Sequence, residues 1–135
     1  MKLSRKTKIV VLFIAIAIIA VTVYYLQSSL PSLVFIDIRW EPEIIKEGYP
    51  VRFILKLANR GVLPTQTPIN VYLYRYNYAG FTGPEKIGEI EASVGANEVT
   101  LVEFTWTPYS PGFYRIKFVC ETGCYLNQLI YVTPK

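Results

Sequence analysis

Two hydrophobic patterns divide the chain. Residues 9–26 form a continuous apolar run, IVVLFIAIAIIAVTVYYL, that contains no charged side chain. From residue 33 onward, apolar and polar residues alternate in short segments that are separated by Pro, Gly and Asn. A long uncharged run is typical of a membrane-spanning helix, whereas period-two alternation between turn residues is typical of half-buried β-strands. The pattern therefore predicts one N-terminal helix followed by an all-β domain.

The apolar run has the length of a transmembrane helix. At ~1.5 Å rise per residue it spans roughly 27 Å, close to the ~30 Å hydrocarbon core of a bilayer. Its polar groups are Thr22 and the hydroxyls of Tyr24 and Tyr25. The two tyrosines lie at its C-terminal end, where aromatic side chains belong at a membrane interface. We expect residues 9–26 to contact membrane lipid.

The positive charge of the chain is concentrated before this run. The net charge is +4, and the first eight residues hold four cations and no acid: Lys2, Arg5, Lys6 and Lys8. The rest of the chain is electrically neutral, which argues against nucleic-acid binding. The positive-inside rule places the N-terminus in the cytoplasm and the C-terminal domain outside the cell. The predicted organisation is a basic cytoplasmic tail (1–8), a transmembrane helix (9–26), a linker (27–32) and an extracytoplasmic domain (33–135).

Two other interpretations of the N-terminus stay open. A cleaved secretory signal has an apolar region of ~7–15 residues that ends at a small-x-small site. This run is longer, and a cut near Ser28 or Ser29 is poorly marked. A pilin-type leader would be cut after the basic residues and would leave a mature chain that begins near Ile9. The sequence favours a retained anchor over both.

Alternation along the distal domain marks seven strands and their buried faces. The strands are A at Val34–Trp40, B at Val51–Asn59, C at Asn70–Tyr78, D at Lys86–Ser93, E at Val99–Thr107, F at Phe113–Cys120 and G at Leu126–Thr133. The predicted core residues are Val34, Ile36, Ile38 and Trp40 in A, Val51, Phe53, Leu55 and Leu57 in B, Val102, Phe104 and Trp106 in E, and Tyr114, Ile116 and Phe118 in F. Strands with one apolar and one polar face pack as two antiparallel sheets. The predicted fold is all-β: a seven-stranded antiparallel immunoglobulin-like β-sandwich behind one transmembrane helix.

Several turn and strand motifs resemble those of the CARDB family of cell-adhesion-related domains. Glu47-Gly48 precedes strand B and Asn59-x-Gly61 follows it, while Phe104-x-Trp106-x-Pro108 and Pro111-Gly112-x-Tyr114 lie at strands E and F. The likeness covers residues 33–135. It implies an immunoglobulin-like sandwich that serves as a surface module without shared catalytic residues. The chain departs from the family at Cys120–Cys124, a turn that is often acidic and Asn-rich in relatives.

The two cysteines flank the predicted F–G hairpin. Cys120 and Cys124 enclose Glu121-Thr122-Gly123. A hairpin can bring their Cα atoms within the ~4.4–6.8 Å that a disulfide needs, and an extracytoplasmic location permits the bond. Two free thiols are the alternative. Their C-x-x-x-C spacing, without a basic neighbour that would lower a thiol pKa, does not favour a redox or metal site.

A row of tyrosines is the candidate binding site. Tyr72, Tyr74, Tyr76 and Tyr78 alternate along strand C and so share one face, opposite the core residues of that strand. Tyrosine gives a large contact area at low entropic cost, so the row is a candidate protein-binding strip. The alternative is that cross-strand neighbours or the membrane interface cover it. Phe81 lies between glycines in the next loop and is either a docking contact or tucked against the domain.

Composition argues against catalysis. The chain has no His, the commonest general base, and two Cys cannot complete a four-ligand zinc site. We therefore expect a non-enzymatic protein, without cofactor or bound metal, that contacts an envelope, appendage or membrane-complex protein. The layout is similar to archaeal appendage-anchoring and envelope proteins. A pilin-like filament subunit, an accessory subunit of a membrane complex and a homo-oligomer remain alternatives.

Overall fold

The structure of the protein is a computed structural model. It describes residues 2, 4–29 and 32–135, with residues 26–29 as backbone alone. Met1 and Leu3 of the predicted tail, and Leu30 and Pro31 of the predicted linker, lie outside the described residues. The described chain divides into two compact units, an N-terminal helix and a β-sandwich.

The helix, α1, runs from Arg5 to Ser29. Ser4 caps it, because the Ser4 hydroxyl accepts a hydrogen bond from the Thr7 backbone N–H at 3.1 Å. The Thr22 hydroxyl donates to the Ile18 carbonyl at 2.8 Å and so needs no outside partner. The apolar side chains of the helix are exposed along its described length. The helix is long and apolar enough to cross a membrane, a property that N-terminal signal sequences share.

Eight strands form the sandwich, which confirms the predicted fold class. They are β1 (Leu33–Glu41), β2 (Ile45–Lys46), β3 (Val51–Asn59), β4 (Thr65–Asn77), β5 (Gly80–Val94), β6 (Val99–Trp106), β7 (Gly112–Cys120) and β8 (Tyr125–Thr133). One sheet has the order β1-β3-β6 and the other the order β2-β8-β7-β4-β5. The additional strand is β2, which pairs parallel to Val132 and Thr133. A strand of two residues is too short to show an alternating pattern in the sequence.

The core lies between the two sheets and largely follows the predicted alternation. In β3 and β7 the predicted residues are buried: Val51, Phe53, Leu55, Leu57, Tyr114, Ile116 and Phe118. In β6, Val102, Phe104 and Trp106 are half-buried and pack against this core. Phe118 lies between Phe53 and Phe104, with ring centroids at 6.0 and 6.4 Å. These edge-on aromatic contacts join the two sheets.

Strand β1 differs from its predicted pattern because it contains a bulge. The pairing with β3 slips between Phe35 and Asp37, which leaves Ile36 as an extra residue. One extra residue moves every preceding side chain to the opposite face. Leu33 and Phe35 therefore face the core together with Ile38 and Trp40. The prediction that Val34 and Ile36 belong to the core was wrong, and Ile36 is 48% exposed.

Strands β4 and β5 extend beyond the predicted strands C and D. Strand C was predicted to begin at Asn70, whereas β4 begins at Thr65 and includes Pro68, a residue that central strands disfavour. β7 pairs with β4 only from Ile69 onward, so Pro68 occupies a part of β4 that has β5 as its one paired neighbour. At the other end, the glycine-rich segment from Gly80 continues as strand opposite β4.

Two polar side chains fix the turns between these strands. The hydroxyl of Tyr114, near the start of β7, donates to the Ser110 carbonyl at 2.8 Å and forms a tyrosine corner, a feature of immunoglobulin-like sandwiches. Asn59 is 1% exposed and its side-chain amide donates to the carbonyls of Leu63 and Val94 at 2.8 and 3.1 Å. Its side-chain oxygen accepts a hydrogen bond from the Gly61 N–H at 2.9 Å. The β3–β4 turn is thereby tied to the end of β5.

Candidate functional site

The outward side of the five-stranded sheet carries a set of aromatic and basic side chains. Since side chains alternate along a strand, the residues between the core positions of β4, β7 and β8 point away from the sandwich. We call this set the aromatic face. Its members are Tyr72, Tyr74 and Tyr76 of β4, Phe81 of β5, Phe113, Arg115 and Lys117 of β7, and Tyr125, Leu129 and Tyr131 of β8.

One row of the aromatic face crosses four strands. The ring centroids of Phe81 and Tyr76 are 5.4 Å apart, those of Tyr76 and Phe113 6.4 Å, and those of Phe113 and Tyr131 4.8 Å. Phe113 and Tyr131 are direct partners in the β7–β8 ladder. All four rings are exposed, from 39% for Phe81 to 54% for Tyr76. The rings therefore support one another while each leaves one side open to solvent.

Two cations lie beside this row and contact its rings. The Arg115 guanidinium carbon is 4.5 Å from the Tyr74 ring centroid and 5.0 Å from that of Phe81. The Lys117 ammonium is 5.3 Å from the Tyr125 ring centroid. Cation–π attraction at such distances contributes about 0.5–1 kcal/mol at exposed sites. Within the described part of the chain, no carboxylate forms a salt bridge with either cation.

The structure places the predicted tyrosine row on this face, with one exception. Tyr72 and Tyr74 are half-buried and Tyr76 is exposed. Tyr78, predicted to continue the row, lies in the turn after β4 and is fully exposed. The strand ends at Asn77 because its side-chain oxygen accepts a hydrogen bond from the Ala79 N–H at 2.9 Å and closes a turn. Phe81 is both exposed and packed against Tyr76 and Arg115.

The contributions of β7 and β8 were missing from the sequence-based site. Phe113 precedes the buried Tyr114 in a strand whose buried residues were predicted, so its outward position could be read from the alternation. Leu129 and Tyr131 flank the buried Ile130 in a strand for which only the bounds were predicted. In the sheet, β7 and β8 follow β4, so their outward side chains form one surface with the tyrosines. The alternation of residues along single strands does not reveal this order of strands.

The outward side of the three-stranded sheet is different in chemistry. Arg52 of β3 forms ion pairs with Glu41 at 2.6 Å and with Glu103 at 3.6 Å. The hydrogen bond from Arg52 to Glu41, together with the charge of Glu103, raises the pKa of Arg52 above its usual value. Among the residues that the structure describes, Arg115 and Lys117 of the aromatic face have no acidic partner, so this face presents unpaired cations while Arg52 of the other sheet is paired with acids.

The predicted disulfide lies at the hairpin that ends the aromatic face. Cys120 and Cys124 are bonded, with their Cα atoms 5.2 Å apart. The Cys120 N–H donates to the Cys124 carbonyl at 2.8 Å, and the Gly123 N–H donates to the Cys120 carbonyl at 3.0 Å. Tyr125 is the residue after Cys124, so the disulfide constrains the backbone next to this tyrosine of the aromatic face.

A concave region lies beside the tyrosine corner. It has a volume of about 400 Å³ and is lined by Arg75, Glu85, Trp106, Tyr109 and Tyr114 among others. Arg75 donates to the Tyr114 hydroxyl at 3.1 Å and to the Ser110 hydroxyl. These hydrogen bonds from the Arg75 guanidinium stabilise the tyrosine corner. Across residues 2, 4–29 and 32–135, no group of three His, Cys, Asp or Glu side chains is arranged to hold a metal ion.

Comparison with solved structures identifies the fold. A CARDB domain from Pyrococcus furiosus, solved in complex with di-metal ions, matches with a TM-score of 0.59 and 19% identity over 79% of this chain and 97% of that domain. The sandwich is CARDB-like in fold. This agrees with the resemblance seen in the sequence motifs, although no family model matches the chain and no curated protein matches it.

The same sandwich occurs as a part of larger enzymes. A β-glucosidase from Erythrobacter marinus matches with a TM-score of 0.65 and 16% identity over 76% of this chain. An alkylpurine DNA glycosylase from Pseudomonas fluorescens matches with a TM-score of 0.62 and 10% identity over 74% of this chain. The chain spans 16% and 30% of these two proteins. At such identities the matches establish the fold alone.

Proposed function

We propose that this protein is a single-pass membrane-anchored module whose extracytoplasmic sandwich binds another protein through the aromatic face. Its partner is an envelope, appendage or membrane-complex protein, and its role is contact rather than catalysis. The observation that carries the proposal is the continuous exposed row of Phe81, Tyr76, Phe113 and Tyr131. Aromatic residues and Arg are enriched at the centres of protein interfaces, and contiguous apolar patches on a domain surface mark interaction sites.

Three features support the proposed location. The α1 helix is apolar and exposed, as a helix surrounded by lipid would be. The cations Lys2, Arg5, Lys6 and Lys8 precede or begin it, which favours an N-terminus in the cytoplasm. The Cys120–Cys124 disulfide is typical of an oxidising compartment outside the cytoplasm.

Site-specific photocrosslinking in native membranes tests the proposed binding face. Leu129 of β8 and Leu101 of β6 are both exposed, at 54% and 56%, and lie on outward sides of different sheets. We expect a photoreactive phenylalanine analogue at position 129 to give a discrete crosslinked protein, and the same analogue at position 101 to give none.

Equal crosslinking at the two positions, or none at position 129, would contradict the proposed face. An adduct of twice the mass of the chain would instead identify a second copy and favour the filament-subunit alternative. In that alternative the exposed α1 helix packs in a fibre core rather than in lipid.

A further inference from the structure

Arg115 of the aromatic face makes no side-chain hydrogen bond and no salt bridge among the described residues. Its guanidinium lies near the rings of Tyr74 and Phe81, and its Nε atom is buried without a hydrogen-bond partner among the described residues. The rings enclose Nε, whereas the terminal N–H groups of Arg115 stay accessible and have no hydrogen-bond partner among the described residues, so they can receive a carboxylate through two parallel hydrogen bonds. The rings hold Arg115 in place but offer its N–H groups no acceptor.

None of the three acids of β5 forms a salt bridge with Arg115, and Glu85 stands opposite the core residue Leu73 of β4. Glu89 and Glu91 lie on the outward side of β5, opposite Asn70 and Pro68 of β4, and Glu89 pairs with Lys86 at 3.2 Å. Arg115 and Lys117 stand opposite Tyr74 and Tyr72, nearer the aromatic row. The aromatic half of the face thus carries positive charge that no acid among the described residues pairs with, and this charge is complementary to an acidic group of a partner.

The size of the face limits what can cover it. Strands lie ~4.8 Å apart and residues along a strand ~3.4 Å apart. Across the four strands from Phe81 to Tyr131 the aromatic face therefore measures roughly 14 Å, and along β8 from Tyr131 to Tyr125 roughly 20 Å, which gives about 300 Å² in projection. A standard protein interface uses about 800 Å² per partner. The face therefore suits a short segment of a partner better than a stable dimer. A second copy would also bring its own Arg115 and Lys117 to the contact and increase the repulsion.

We propose that the aromatic face binds a short segment of a partner protein that presents a carboxylate among apolar side chains. The apolar side chains pack on the rings of Tyr76, Phe113 and Tyr131, and the carboxylate accepts hydrogen bonds from Arg115. This inference rests on the proposed function and names the chemistry of its partner.

Peptide selection on the full chain in nanodiscs tests the inference. A randomised dodecapeptide display library is selected on the natural chain alone, and the selected peptides are then measured on the Arg115→Gln variant. We expect Asp or Glu to be enriched beside aromatic or aliphatic residues. Changing the acid of a selected peptide to its amide, or Arg115 to Gln, should each weaken binding about tenfold or more, since hydrogen bonds between charged groups are the strong ones. Arg39→Gln, which alters an exposed arginine of the other sheet, is the matched control and should leave binding unchanged.

The outcomes separate this inference from the proposed function. Binders that lack an acid, or that bind Arg115→Gln equally well, would overturn the inference, as would a selection that yields no binders. Dimerisation in sedimentation experiments that requires the aromatic face would assign the face to a second copy and also overturn it. Crosslinking of a different protein at position 129 does not depend on charge, so the proposed function can survive the peptide results, whereas dimerisation through the face would favour the filament-subunit alternative.

Discussion

Replacing both Ile14 and Ile18 by lysine is expected to abolish membrane insertion of α1. The segment from Ile9 to Leu26 contains twelve Val, Ile, Leu and Phe residues, each of which favours insertion by about 0.3–0.6 kcal/mol. Together they contribute about −5 kcal/mol, whereas a lysine near the centre of a helix costs about 2.5–3.5 kcal/mol. Two lysines and the loss of two isoleucines therefore change the free energy of membrane insertion from favourable to unfavourable. Alkaline extraction of membranes, followed by detection of the protein in the pellet and supernatant, measures the effect.

The matched control replaces the same two isoleucines by leucine. This double variant keeps the apolar length of the helix and should remain in the membrane pellet. Retention of the Ile14→Lys, Ile18→Lys variant in the extracted membrane would mean that α1 is not what holds the protein there.

Replacing Phe118 by alanine should destabilise the sandwich by about 3–5 kcal/mol, because the cavity lies where the two sheets meet. Phe118 is 0% exposed and packs between Phe53 and Phe104. Folded domains typically have a free energy of unfolding of about 5–15 kcal/mol, so the variant would lose a large part of its stability. Chemical denaturation followed by intrinsic fluorescence gives the free energy of unfolding.

Phe113 offers a control in the same strand. It is 48% exposed on the aromatic face, so Phe113→Ala should cost less than about 1 kcal/mol. If the two variants lost equal stability, the assignment of Phe118 to the core and of Phe113 to a binding face would be wrong.

The sequence predicts much of this fold because burial leaves a period of two. The alternation in β3 and β7 gave the core residues from Val51 to Leu57 and from Tyr114 to Phe118. It failed at Ile36, where one extra residue shifts the phase of β1, and it could not reveal the two-residue strand β2. A bulge is set by pairing with a neighbour, and that information is not local to the strand.

The candidate site was predictable only in part for a related reason. Alternation identified the tyrosines of β4 as one row, and it placed Arg115 and Lys117 outside the core. The packing of Arg115 on Tyr74 joins two strands that are about forty positions apart in the chain, and it follows from the antiparallel register of β4 and β7. The prediction failed at Tyr78 for a local reason. The alternation of tyrosines continues to Tyr78, but the hydrogen bond to the Asn77 side chain forms a turn and ends β4 at Asn77.

The central claim is that α1 holds the sandwich at the outer surface of a membrane. Protease treatment of intact cells that carry one epitope tag at the N-terminus and another after Lys135 tests it most directly. The account predicts that the protein stays in the membrane fraction, that an added protease removes the C-terminal tag, and that the N-terminal tag survives until the cells are opened. A C-terminal tag that is protected in intact cells, or a mature protein that lacks the N-terminal tag, would contradict it.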